Sequence, residues 1–104
     1  QGANAHGANF ADADLSGAIF RNANLEGANL DGGDFSGANF AHANLTGANL
    51  DGASFRNANL ANADLTGANL SDADFDGADL QGQSLVGASL EGATYRDGMV
   101  EFDS

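Results

Sequence analysis

The chain contains no cysteine, no proline and no tryptophan. Without cysteine there is neither a disulfide framework nor a thiol ligand or nucleophile, and without proline no turn is set by a fixed φ. Packing and hydrogen bonding must therefore hold it. Basic residues are almost as scarce, with 3 Lys and Arg against 15 Asp and Glu, a formal charge of −12. That balance excludes direct nucleic-acid binding and an anionic-membrane surface, and points to a protein partner with a basic surface or to solvation alone. No apolar run approaches the roughly 20 residues of a membrane span, and the start lacks the basic-then-apolar layout of a secretory signal. Gln1 is not an initiator methionine, which is the mark of a processed or excised chain. The compartment reads as cytoplasmic, or as lumenal or periplasmic if Gln1 follows a cleaved signal. At 104 residues there is room for one small domain, spanning residues 1–104.

What is present is periodic. Every fifth residue from Phe10 through Leu15, Phe20 and Leu25 to Tyr95 and Val100 is large and apolar. Two residues before each stands alanine, with Gly33, Gln83 and Gly98 as the departures, and one residue before stands mostly Asn or Asp. Self-similarity at a fixed period marks a solenoid, in which stacking supplies the core that one unit cannot build. A period of five fits no helix, and glycine at that frequency would cost a helix about 1 kcal/mol at each occurrence. Within one unit Ala and Leu stand two apart and share a side of an extended segment, with Asn or Asp facing outward between them. The residue two after the Leu or Phe is usually Gly and otherwise Asp12, Asn22, His42, Asn57, Asn62, Asp72 or Asp97, the residue set for positive φ in a type II turn. The spacing thus predicts very short strands turning in one sense into a tube.

This Ala-(Asn/Asp)-(Leu/Phe)-x-Gly pattern resembles the pentapeptide-repeat family over essentially the whole chain. The resemblance implies an all-β fold, a right-handed quadrilateral β-helix with four units per coil, a period of 20, and about five coils. A three-unit coil of 15 is the competing register. At 20, Phe35, Phe55, Phe75 and Tyr95 fall in one column, Leu25, Leu45, Leu65 and Leu85 in another, and Gly7, Gly27, Gly47, Gly67 and Gly87 along one corner. At 15 the aromatics scatter, so stacked rings and a uniform glycine corner favour 20. Five coils at the strand spacing make a rod about 24 Å long with an unpaired β edge at each end. The units near 1–8 and 96–104 are atypical, with Ala5 in a Leu slot. Met99, Val100 and Phe102 form a candidate end plate or dimer contact, so the ends either cap themselves or pair as an end-to-end homodimer.

In that register Asn9, Asn29, Asn49 and Asn69 form a ladder whose side-chain amides could bond between coils and stabilise the sheet. Nine acids share one stripe: Asp12, Asp31, Asp51, Asp72 and Glu91 at a corner, with Asp14, Asp34, Asp74 and Asp76 on or flanking the next face. Like charges that close cost stability unless screened. They keep an edge-rich rod soluble, or they serve as an anionic surface. Some pentapeptide-repeat proteins resemble DNA and act on type II topoisomerases, which implies the alternative of an acidic DNA-mimicking rod that binds DNA gyrase as inhibitor or protector. Arg56, Asp76 and Arg96 follow at intervals of 20 and predict an alternating charge ladder.

Other motifs dissolve on inspection. Asp72, Asp74, Asp76 and Gly77 open like a calcium loop, yet the twelfth position is Gln83 rather than Glu and flanking helices have no place in this repeat. His6 and His42 lie on different corners without cysteine, so no metal site is expected. No catalytic residue and no cofactor is expected either, because neither histidine has a positioned nucleophile and the tube fills its own interior. The sequence reads as a non-enzymatic β-solenoid that acts as an interaction or scaffold module through its outer faces.

Overall fold

The computed structural model describes residues 3–94, and over that span the backbone consists of single β-bridge residues alternating with two-residue turns. Every bridge is parallel and joins a residue to the one 20 positions later, from Asn4↔Asn24 through Asn44↔Asp64 to Asp74↔Thr94. Each coil is therefore built of four repeat units, and the register of 15 is excluded.

The backbone hydrogen bonds explain why the unit has its composition. In residues 43–47, the Ala43 N–H closes the preceding turn on the Phe40 C=O at 3.0 Å. The Asn44 N–H reaches the Ala23 C=O one coil back at 2.9 Å, and the Leu45 and Gly47 N–H groups reach the Asp64 and Thr66 C=O one coil forward at 2.8 and 2.9 Å. The remaining donor, the Thr46 N–H, bonds the Asn44 side-chain Oδ1 at 3.0 Å. All five donors of the unit are satisfied, which a buried or half-buried backbone requires.

The last of these bonds revises the reading of the Asn ladder. The Oδ1 atoms of Asn9, Asn29, Asn49 and Asn69 accept from the N–H groups of Ala11, Asp31, Asp51 and Ser71, each at 3.0 Å. The side chain folds onto its own turn as an Asx turn, a shorter reach than the next coil. The expected amide bonds between coils therefore give way to a local one.

Corner residues adopt positive φ as the residue set predicts, glycine or not. Asp12, Asn22, His42, Asn57, Asn62 and Asp72 lie between φ 58 and 62°, and Gly7, Gly27, Gly47, Gly67 and Gly87 between 67 and 72°. Asp97 lies outside the described residues.

Inside the tube the columns are as the period arranges them. Phe35, Phe55, Phe75, Leu25, Leu45 and Leu65 are buried with Leu85, and the alanines of their units fill the space between. Tyr95 lies outside the described residues, as do Met99, Val100 and Phe102. Phe35 stacks on Phe55 and Phe55 on Phe75, and a second stack joins Phe20 to Phe40 at 4.8 Å with planes 10° apart. Edge-to-face contacts link the two columns, Phe40 against Phe35 at 5.6 Å and against Phe55 at 5.4 Å. Gly33 departs from alanine because Phe35 leans over it, where a Cβ would meet the ring at 2.5 Å. Gln83, the other described departure, is buried. The Cα extents of 29 × 25 × 22 Å make the molecule a block more than a rod.

Candidate functional site

Because each outward residue stacks on the one 20 positions away, the surface is a set of columns running along the solenoid. The acidic stripe is assembled this way. The Asp12 N–H bonds the Asp31 C=O, the Gly32 N–H the Asp51 C=O and the Asp72 N–H the Glu91 C=O, each at 2.9 Å. These bonds line up Asp12, Asp31, Asp51, Asp72 and Glu91 along a single corner. On the adjoining face the bridges run Asp14↔Asp34, Asp34↔Ser54 and Ser54↔Asp74.

The stripe is not uniform. Arg56 lies within it, with Nη1 at 3.3 Å from Asp74 Oδ2 and 4.0 Å from Asp76 Oδ2. The expected ladder from Arg56 to Asp76 is thus displaced toward Asp74, whose side chain is 32% exposed against 13% for Asp76. Arg96, the third rung, lies outside the described residues. Free anionic character is concentrated at Asp12, Asp14, Asp31 and Asp34, all exposed. Asp51 is half-buried, and Asp72 and Glu91 extend the exposed corner to its far end.

Each face carboxylate also works locally. Asp14 Oδ1 accepts from the Ser16 N–H at 3.2 Å and from its hydroxyl at 2.8 Å. Asp34 does the same with Ser36, at 3.1 and 2.7 Å. The Ser36 hydroxyl, then its N–H, hold the Asp34 carboxyl below the ordinary value of 3.8, while partial desolvation opposes them. Asp64, on another face, is lowered in the same way by the Thr66 hydroxyl and N–H. In Asp14, Asp34 and Asp64 one carboxylate oxygen, Oδ1, is thus committed to the turn that follows.

This dual role was missed by reading the outward residues as solvated. Its signal was present: the slot before each Leu or Phe is filled almost throughout by side chains with an oxygen one or two bonds beyond Cβ, and Ile19 is the exception.

Among the described residues no group of three or more His, Cys, Asp or Glu is arranged to hold a metal ion. Asp72 and Asp76 sit at successive corners with Asp74 on the face between them, so the calcium-loop look-alike is spread around the tube. His6 lies 3.9 Å from Glu26 with both side chains exposed. No described helix is long and apolar enough to cross a membrane.

A solenoid of parallel single-residue bridges, Asx-closed turns and a Leu/Phe column core defines a class of repeat protein. The profile of that class, pentapeptide repeats, matches residues 1–37, 34–72 and 73–94 in 8 copies, and the chain belongs to the pentapeptide-repeat family. It is similar to a pentapeptide repeat protein of the Arabidopsis thaliana thylakoid lumen, with 33% identity, TM-score 0.94, and coverage of 97% of this chain and 70% of that one. It is also similar to the pentapeptide repeat protein Rfr23 of the cyanobacterium Cyanothece 51142, at 32% identity and TM-score 0.87, covering 89% of this chain and 64% of that one. A third likeness is to alr5209 of Nostoc PCC 7120, at 37% identity and TM-score 0.70, covering 86% and 78%. No curated protein matches the sequence. The chain thus spans about two thirds of the length of the first two of these structures.

Proposed function

We propose that this chain is a right-handed quadrilateral β-helix of about five coils that acts as a non-enzymatic interaction or scaffold module, binding a protein with a basic surface through its acidic stripe. The observation that carries the reading is the alignment of Asp12, Asp31, Asp51, Asp72 and Glu91 along one corner beside Asp14 and Asp34 on the next face. Such a field steers a cationic partner toward one side of the molecule. A thylakoid-lumen neighbour supports a lumenal setting for this chain, and the cytoplasmic alternative has no comparable support. The gyrase alternative draws on charge alone.

The experiment is a fluorescence-anisotropy titration of an oligolysine probe against two triple variants of equal charge change. Asp14→Asn, Asp34→Asn and Asp74→Asn remove three of the nine charges of the stripe while keeping the oxygen each turn uses. Glu26→Gln, Asp64→Asn and Asp79→Asn remove the same charge elsewhere. The stripe variant should lose clearly more affinity. Equal losses would mean that net charge alone governs binding, and the stripe would have no role.

A further inference from the structure

An outward corner residue of this solenoid meets the face residue 18 positions later, on the next coil. Ser36 Oγ lies 3.2 Å from Ser54 Oγ, and Thr66 Oγ1 lies 3.2 Å from Ser84 Oγ. Arg56 Nη1 donates to Asp74 Oδ2 at 3.3 Å in the same way. After Ser36, the Ser16 hydroxyl is a further group that holds the Asp34 carboxyl down. With a register of 20, Ser16 beside Asp34 and Arg56 beside Asp74 are therefore one place in the repeat, met twice with two coils between them.

The two copies of that place are filled differently. Asp74 uses both oxygens within the chain: Oδ1 accepts from the Asp76 N–H at 3.0 Å and the Thr94 hydroxyl at 3.3 Å, and Oδ2 accepts from Arg56. The same guanidinium stands 4.0 Å from Asp76 Oδ2. Asp34 commits Oδ1 to the Ser36 N–H and hydroxyl, and neither Arg21 nor Arg56 pairs with it or with its bridged neighbour Asp14. Serine ends at its γ atom and brings no charge, so Ser16 cannot neutralise Asp34 as Arg56 neutralises Asp74. Asp34 and Asp14 are exposed, whereas Asp74 and Asp76 are half-buried.

A cation approaching Asp74 must displace Arg56 or share its carboxylates with a like charge, and one approaching Asp34 meets no such competitor. A resident charge of the partner's own sign is the repulsive element by which an interface rejects a wrong register. We propose that Arg56 is a built-in counter-cation that closes the Asp74 part of the stripe to a basic partner, so that the partner's guanidinium or ammonium group docks at Asp34 beside Ser16, the equivalent place two coils away. This inference rests on the reading of the stripe as a docking surface and assigns the register of the docked partner.

The anisotropy titration with oligolysine tests it through a swap of the two places. Arg56→Ser installs the residue that Ser16 and Ser36 already provide in this column. It should tighten binding about threefold, the scale of one exposed charge contact. Arg21→Ser makes the same charge change at another corner and should tighten it less. Ser16→Arg builds the counterpart pair on Asp34 and should weaken binding more than Gln81→Arg, its control at that other corner. Asp74→Asn should do little in the parent and should weaken binding clearly once Arg56→Ser has freed the carboxylate. Equal effects of Arg56→Ser and Arg21→Ser overturn the proposal, as does an Asp74→Asn parent that loses as much affinity as Asp34→Asn. An Arg56→Ser variant with a lower melting midpoint and unchanged affinity makes the pair purely structural and overturns it too. Each of these failures leaves the docking surface standing provided the stripe triple variant still loses more affinity than its control. If that triple variant and its control bind alike, the docking surface falls and the role of Arg56 with it.

Discussion

Phe35 and Phe55 stack with ring centroids 5.3 Å apart and planes 12° apart, though a full coil of chain separates them. The spacing is close to the roughly 4.8 Å that the bridged backbones impose, so one coil's pitch becomes the stacking distance of its rings. Phe75 continues the column at 5.3 Å and 9°.

We predict that Phe55→Ala lowers stability by about 3 to 5 kcal/mol, because Phe35 and Phe75 are held by their own coils and cannot close the cavity. Thermal or urea unfolding measures it directly. An unaltered midpoint would mean that the stack contributes nothing.

The Asx bond gives a second test. Asn49→Ala removes the acceptor of the Asp51 N–H, a half-buried donor, and should cost about 1 kcal/mol. Ile19→Asn runs the other way: Arg21 has no such acceptor, and installing one should raise stability by up to about 1 kcal/mol. If Asn49→Ala and an exposed control such as Gln81→Ala unfold alike, the turn bond has no energetic role.

Corner glycines should differ according to what lies above them. Gly47→Ala places a Cβ in open space and should cost about 1 to 2 kcal/mol for the left-handed backbone alone. Gly77→Ala should cost more, because its Cβ would run into the Asn57 side-chain oxygen. That excess should vanish in an Asn57→Gly background, and a double-mutant cycle without coupling would sink the account.

The depressed carboxyls of Asp34 and Asp64 carry a definite sign in pH. A group with a folded-state pKa below its ordinary 3.8 contributes stability that is fully present above that value and is lost as pH falls through the folded-state value. Asp34→Asn with Asp64→Asn should thus be less stable than the parent at neutral pH, and the difference should shrink on acidification below about 3.8. Urea midpoints measured down the pH scale decide the point, since a gap that widened in acid would reverse the sign.

Much of this protein is legible in its sequence because its contacts are periodic. When every neighbour lies one coil away, one correct period places Leu45 on Leu65, Asp14 beside Asp34 and Gly47 above Gly67 at once. The corner set Asp12, Asn22, His42, Asn57, Asn62 and Asp72 was legible for a local reason, since few residue types tolerate positive φ. The double duty of Asn and Asp was harder to see, because outward alternation suggests only solvent.

The sequence by itself determined the period, the inward and outward assignment of each slot, and the residues that turn. These follow from local sterics and from a repeat that carries its own register. The tertiary structure decided what happens across the section and at the corners: that Arg56 prefers Asp74 to Asp76, that the Phe40 column meets the Phe35 column edge to face, and that Phe35 claims the space over Gly33. Those outcomes depend on side-chain rotamers and reach between columns, and a period along the axis carries no information about distance around it.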